Sequence, residues 1–342
     1  MNSPVIALMG TGPLGLWTAA ALAGDDTLQH LHIRMGNTRG QAPAWVPPAV
    51  QAAFEQGRLS WHAFDAMEAA SVLTFTQGAS AIVHSAIPDY HEWLSKLPVI
   101  QRNAIDAALA HKARLICADN LYAYAAPVNG PLTEAQAEIP PSRKGQLRKD
   151  MLDLMRRAQR EHSLVWITVQ GSQYFGPGAG GQSVFGDWFI GPVLANKPVR
   201  FVGNPSLPHA WAYGPDFGRA MALLAVTARS ELLNRPWILP HATHLPAFEL
   251  ARLLFAELER QGMLPANALR KAVAVPALVL KVLGWFNPVI KAREEMLYQF
   301  NMPWEASGAH FSSLTGLVAT PLPIVIEQTV AFWQATKVKT AL

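Results

Sequence analysis

Three groups of residues in this chain have types and spacings suited to chemistry. The first is Gly10-Thr11-Gly12-Pro13-Leu14-Gly15, a G-x-G-x-x-G turn after the apolar run Val5–Met9, followed by a helical stretch to Ala23. Gly10 permits the tight turn, Gly12 lets the backbone approach a pyrophosphate, and Gly15 lets the helix pack on the strand. Pro13 suits a first helical turn. That turn's free N–H groups, at Gly12 and Leu14 but not at Pro13, which has none, and the helix dipole make an anion site. The second group is Asn120, Tyr122 and Tyr124, which share a face for as long as a strand stays regular. The third is Lys144 and Arg148, one helical turn apart. A phenol beside a cation is suited to general acid catalysis, because the cation favours the phenolate. Two adjacent cations lower a lysine pKa and suit it to proton transfer. The other reading of these residues is Tyr122 in the core with Lys144 and Arg148 solvated.

These groups need a scaffold, and the hydrophobic pattern supplies one. Strands are predicted at Val5–Met9, Leu31–Met35, Leu59–Phe64, Ala81–His84, Arg114–Cys117 (running into Ala118–Tyr124) and Leu164–Val169. Helices are predicted at Met67–Thr74, Gln101–His111 and Arg143–His162 between them. Strands and helices alternating at this spacing predict an α/β fold, a Rossmann-type doubly wound parallel sheet. Pro127–Pro141 reads as a loop. Beyond the glycine-rich Tyr174–Gly181 come short strands at Pro198–Val202 and Trp237–Leu239, and helices at Asp216–Thr227, Ala247–Gln261 and Pro323–Gln334. The expected division is residues 1–175 as the nucleotide-binding domain and 176–342 mainly as a smaller C-terminal substrate lobe, with some segments returning to the first.

The residues after the second strand bear on which dinucleotide is bound. An acidic residue that would hold a free ribose 2′-hydroxyl is missing between Leu31 and Val50, and Arg34 and Arg39 are there instead. An arginine fork suits a 2′-phosphate, which favours NADP over NAD. The alternative is that both arginines are merely exposed.

Composition narrows the classes further. Of 342 residues, 15% are charged and 50% hydrophobic, so the chain is globular. The formal charge of +4 is small, and the basic clusters Arg143–Lys149 and Arg156–Arg160 lack the interleaved aromatics of a nucleic-acid surface. Cys117 is alone, so no internal disulfide forms and a reducing, cytoplasmic setting is expected. No signal peptide is apparent. The apolar stretch Ala272–Ile290 is broken by Pro276, Lys281 and Pro288, a poor membrane span and more suited to a buried helix. His209, His241 and His244 share no metal-ligand spacing with a Cys or carboxylate and read as scattered packing or surface residues, so no metal is expected. Trp188, Trp211 and Trp304 suggest a partly apolar small-molecule substrate or, equally, core packing. Self-association into a homo-oligomer is left open.

Taken together, these motifs resemble the extended short-chain dehydrogenase/reductase superfamily in its NAD(P)-dependent epimerase/dehydratase branch. The likeness covers nearly the whole chain. It is carried by the glycine turn, Ile82–Ala86, Asp119–Tyr124, Tyr174–Gly178, His209–Asp216, Glu295–Phe300 and Thr320-Pro321-Leu322. Ala86–Tyr90 and Asp119–Tyr124 resemble an atypical subgroup in particular. The resemblance implies hydride transfer at a carbonyl or alcohol carbon, or epimerase/dehydratase chemistry through transient oxidation. It also implies a Ser or Thr on the fifth strand and a Tyr-x-x-x-Lys helix motif. Here Asn120 stands for the hydroxyl residue, Lys144 for the tyrosine and Arg148 for the lysine, so the usual catalytic trio is absent. The family's first glycine position is Met9, with Gly10 restoring the older spacing. The resemblance further assigns Asp65 to the adenine amine, and Ser85, Ala86 and Tyr174 to the nicotinamide end. Proton transfer then falls to Lys144, which is also a possible ribose ligand, to Tyr122, or to water, with Asn120 orienting the oxygen. Tyr90 and His91 either reach the substrate or pack in their loop. A non-catalytic NADP-binding sensor is the reading from another class.

Overall fold

The computed structural model describes residues 3–127, 129–265, 267–275, 291 and 294–340. In chain order the elements are β1 (Val5–Met9), α1 (Pro13–Ala23), β2 (His32–Asn37), α2 (Pro48–Glu55), β3 (Leu59–Ala63), α3 (Ala69–Phe75), β4 (Ala79–His84), α4 (Trp93–His111), β5 (Arg114–Asn120), α5 (Arg143–His162), β6 (Trp166–Gly171) and β7 (Gln173–Phe175). They continue with α6 (Asp187–Leu194), β8 (Val199–Val202), β9 (Trp211–Tyr213), α7 (Gly214–Val226), β10 (Arg235–Ile238), α8 (Ala247–Arg260), β11 (Ala272–Val275), α9 (Ala309–Thr315) and α10 (Leu322–Thr340). The chain separates into two compact units. The first comprises the chain up to Ala123, Glu138–Gln170 and Pro215–Trp237; the second comprises Tyr124–Ala137, Gly171–Gly214 and the chain from Ile238.

The first unit is built on a seven-stranded parallel sheet of order β10-β6-β5-β4-β1-β2-β3. The order reverses at β1, whose neighbours are β2 on one side and β4 on the other. Four of the five β1 residues are buried, as a parallel strand covered on both faces requires. On one face Ala7, Met9, Ile82, Leu115 and Cys117 share a core with Leu152 and Met155 of α5. On the other, α7 lies so close to α1 that a Cβ on Gly218 would sit 2.4 Å from the Trp17 carbonyl carbon. The α5 helix starts where Ser142 accepts the Gly145 N–H at 3.0 Å, and it ends at Ser163 in the left-handed region.

The second unit has two short parallel ladders, β7 with β9 and β8 with β11. Its core is aromatic, including Phe175, Phe185, Phe189, Trp211, Tyr213 and Trp333. Trp211 and Trp304 are fully buried, while Trp188 is 56% exposed.

Two expectations need correction. The strand predicted to carry Asn120, Tyr122 and Tyr124 together stops at Asn120. The Asn120 Oδ1 accepts the Tyr122 N–H at 3.0 Å, which turns the chain and removes the alternation. The apolar stretch expected as a helix from Ala272 opens as a strand, β11, because Ala272–Val275 pairs with β8; residues 276–290 lie outside the described residues. Among the described residues no helix is long and apolar enough to cross a membrane.

Candidate nucleotide and proton-transfer site

Gly10 follows β1 with φ +112° and donates its N–H to Gly36 at 3.0 Å. A Cβ on Gly10 would come within 2.8 Å of the Ala86 nitrogen, and one on Gly15 within 2.8 Å of Ser85 Oγ. Ser85 in turn donates its N–H to the Met9 carbonyl at 2.9 Å. These contacts close the carboxyl ends of β1 and β4 against each other at the point where the strand order reverses, which is where open α/β sheets take ligands. Gly12 differs from both. A Cβ there would meet no atom within 4 Å, and no side chain caps α1. The Gly12–Pro13–Leu14–Gly15 turn therefore has open space beside it and uncapped helix N–H groups, and this fits a pyrophosphate.

The two arginines offered for a 2′-phosphate are separated by the register of β2. Arg34 stands opposite Ala7 within the sheet. Its guanidinium donates to the carbonyls of Phe75 at 2.7 Å and Gln77 at 2.9 Å, at the end of α3. Arg39 lies on the exposed loop after β2, with its backbone N–H held by Asn37 Oδ1 at 2.9 Å. Asn37 was not singled out by the sequence reading. It ends β2 and also donates to Thr11 Oγ1 at 3.0 Å and to the Gln41 carbonyl at 2.7 Å, which ties the glycine turn to the loop carrying Arg39. An asparagine at the end of the second strand was the available signal. Asp65 follows β3, exposed, with its carboxylate accepting the Met67 N–H at 2.9 Å.

A second group of residues lies between β5 and α5. Asp119 and Arg148 are both buried, with Nη1 of Arg148 3.4 Å from Asp119 Oδ1. The same oxygen accepts the Asn120 N–H at 2.8 Å, and Gln170 reaches the other at 3.5 Å. Burial raises the Asp119 pKa above the usual carboxylate range, opposed by the nearby Arg148 guanidinium. Arg148 also stacks on Trp93, its guanidinium carbon 4.6 Å from the ring centroid. Asn120 uses its side-chain oxygen to accept the Tyr122 N–H, so its amide nitrogen is the donor end of the side chain. Lys144 is 2% exposed and holds Nζ 4.6 Å from the centroid of the Tyr90 ring. Tyr122 packs on Trp93, Leu147 and Met151. The fold thus places Asn120, Tyr122 and Lys144 around the start of α5, where a Cβ on Gly145 would touch the Tyr122 carbonyl at 2.4 Å. His84 closes the far end of β4 in the same unit, and burial followed by Arg148 pushes its pKa down to about 4.

Tyr174 belongs to the second unit, on β7, where its hydroxyl donates to Gln182 at 3.2 Å and burial raises its pKa. The histidines expected to be scattered are gathered in that unit. His241 Nε2 accepts the Ser172 N–H at 3.0 Å, His209 Nε2 lies 3.4 Å from Ser172 Oγ, and the rings of His241 and His244 are 5.9 Å apart. Chain topology, not sequence spacing, brings them together. Burial pushes His209 and His241 down to about 3, so both are neutral. Among the described residues no group of His, Cys, Asp and Glu is arranged to hold a metal.

Solved structures place this architecture. A dTDP-glucose 4,6-dehydratase from Streptomyces venezuelae, solved with NAD, matches with a TM-score of 0.77 at 14% identity, over 97% of this chain and 98% of that one. A UDP-glucuronic acid 4-epimerase from Bacillus cereus, also with NAD, matches with a TM-score of 0.72 at 14% identity, over 97% and 99%. A UDP-N-acetylglucosamine 4-epimerase from Methanobrevibacter ruminantium matches with a TM-score of 0.72 at 13% identity, over 98% and 100%. This chain shares their fold. No family model matches it, and no curated protein matches it in sequence.

Proposed function

We propose that this protein is a nicotinamide-dinucleotide-dependent oxidoreductase of the extended short-chain dehydrogenase/reductase type, acting at a carbonyl or alcohol carbon. The observation that carries this reading is the open face of Gly12, beside an uncapped helix and at the reversal of the strand order. When bound, the nicotinamide supplies hydride transfer. The protein's part is to hold and to protonate. Asn120 presents an amide N–H to the substrate oxygen, fixed in orientation because its own oxygen is taken by Tyr122. Lys144 and Tyr122 are two side chains of the region that carry an exchangeable proton. Tyr174 and Asp65 are assigned to the nicotinamide and adenine ends by family likeness alone.

NADP is the favoured cofactor, and Arg39 carries that preference. Arg34 is engaged by the α3 carbonyls, whereas Arg39 is presented by the Asn37 turn, and Asn37 is neutral where a carboxylate would repel a 2′-phosphate. The NAD found in the dTDP-glucose dehydratase and UDP-glucuronic acid epimerase structures keeps NAD as the alternative. The lone Cys117 supports a cytoplasmic setting. The neighbours' substrates make nucleotide sugars the first class to try, with epimerase or dehydratase chemistry through transient oxidation as the variant. Lys144 and Arg148 in place of Tyr and Lys favour one further reading, a nucleotide-binding protein without turnover.

Fluorescence titration with NADPH and NADH tests the binding reading. Gly12→Val should abolish both affinities while the circular dichroism is unchanged. Arg39→Ala should weaken NADPH about tenfold to hundredfold, as loss of a charge-assisted contact does, and leave NADH unaffected. A wild-type protein that binds neither nucleotide refutes the reading. Turnover against carbonyl compounds and nucleotide sugars, followed by nicotinamide absorbance, then separates enzyme from sensor.

A further inference from the structure

The helix α5 lacks the tyrosine that its family resemblance calls for, yet a phenol stands next to the residue that replaces it. Tyr90 lies in the connection between β4 and α4, half-buried, shortly after the Ser85–Ala86 contact with the glycine turn. Its ring meets Trp93 edge-on, with centroids 4.6 Å apart. Trp93 is itself fixed, its indole N–H bonded to the Pro88 carbonyl at 3.1 Å and its face covered by Arg148. On the Tyr90 ring stands the buried Lys144 ammonium, 4.6 Å from the centroid. The Tyr90 ring is thus placed by an immobilised aromatic and by a buried cation, and each of these is a separate contact. Tyr122 packs on the same cluster, its ring centroid 6.1 Å from that of Trp93, but its backbone N–H is tethered to Asn120 and the ring under the Lys144 ammonium is that of Tyr90.

On the oxidoreductase reading above, we propose that Tyr90 supplies the phenol that α5 lacks. In this assignment the Tyr90 hydroxyl exchanges the proton with the substrate oxygen and Lys144 supplies the companion ammonium. The phenol and the amine have changed places: the amine comes from α5 and the phenol from the β4–α4 connection. In the reducing direction, hydride from a reduced nicotinamide adds to the carbonyl carbon and the carbonyl π pair moves onto oxygen. The Tyr90 O–H proton passes to that oxygen. The phenolate left behind is stabilised by the Lys144 ammonium, takes a proton from it, and the amine recovers its proton from water. Oxidation runs these transfers in reverse. A cation so close to the ring favours the charged form of the phenol, and desolvation strengthens the attraction.

Two measurements test the assignment. The first needs neither substrate nor nucleotide: ultraviolet difference titration of tyrosine ionisation in the full-length protein. One tyrosine should ionise below the rest, vanish from the titration in Tyr90→Phe, and move up by about one pH unit in Lys144→Met, the size of effect one nearby charge produces. The second is turnover with NADPH across the carbonyl and nucleotide-sugar panel. Tyr90→Phe should lower kcat by about a hundredfold or more, the usual contribution of a positioned acid, with KM and NADPH affinity unchanged. If Tyr90→Phe leaves the low-ionising tyrosine in place, or loses less turnover than Tyr122→Phe, the assignment is wrong. If wild type binds NADPH and turns over nothing, the oxidoreductase reading fails, and a titration without a low-ionising Tyr90 refutes the phenol–ammonium pair separately.

Discussion

The cluster around Asp119 and the cluster around Ser172 are both buried and both lie at strand ends, but they hold opposite charge states. In the first unit Asp119 faces Arg148 and Lys144 lies beneath an aromatic ring, so ions are kept inside by a counter-charge and by π faces. In the second unit His209 and His241 stay neutral; His241 accepts the Ser172 N–H and His209 lies 3.4 Å from Ser172 Oγ. Charge held in a dry interior is costly unless paired, and it is useful where a reaction develops charge. Neutral imidazoles only join segments. On the proposed function, the difference gives the chemistry to the first cluster and leaves cohesion to the second, although both are buried and polar.

The sharpest way to break this contrast is to remove one ion. Asp119→Leu leaves Arg148 buried without its carboxylate and should cost about 3–5 kcal/mol in urea denaturation. The double variant with Arg148→Met should recover most of that loss. If the single variant were as stable as wild type, the first cluster would not be an ionic one.

The neutral cluster should respond to pH instead. An unfolded histidine takes up its proton near 6.5, whereas folded His209 and His241 do so near 3. The unfolded state therefore binds more protons between those values. The stability they provide is complete above the upper value and falls with pH by about 1.4 kcal/mol per unit for each histidine. His84 adds to the same loss down to about 4. His241→Gln keeps an acceptor for the Ser172 N–H. From about pH 7 to about pH 5 it should lose about 2 kcal/mol less stability than wild type. Equal losses in the two proteins would mean that His241 is charged in the fold.

Two smaller effects sharpen the comparison. Arg34→Met removes the caps from the α3 carbonyls and should cost about 1–2 kcal/mol, with NADPH affinity unchanged. A drop in NADPH affinity would return Arg34 to the nucleotide site. Ser142→Ala should cost about 1 kcal/mol by removing the cap of α5. Because Lys144 lies in the uncapped turn, amide exchange there should rise before exchange elsewhere in the helix.

Local pattern made part of this legible. The glycine turn, the strand–helix alternation and the helix from Arg143 are written in runs of adjacent residues, and each forms where the pattern placed it. The two arginines after β1 show where such reading stops. Arg34 and Arg39 are alike as letters, but strand register puts one under α3 and the other on a loop. Tyr122 was misplaced because β-propensity was extended through Asn120, a residue whose side chain bends the chain by bonding the backbone two positions on. Tyr90 against Lys144, and Ser172 against His209 and His241, are contacts between distant segments that no local pattern encodes.

The close fit of Gly218 against Trp17 has a consequence for the order in which this protein takes shape on the ribosome. The helix that covers α1 and the last strand of the large sheet are both made after Gly171–Gly214 has been synthesised. A nascent chain ending before Pro215 therefore carries the whole glycine turn but leaves one face of α1 bare and β6 as an open edge, a state prone to association. Synthesis must pass Ile238 before that sheet is closed.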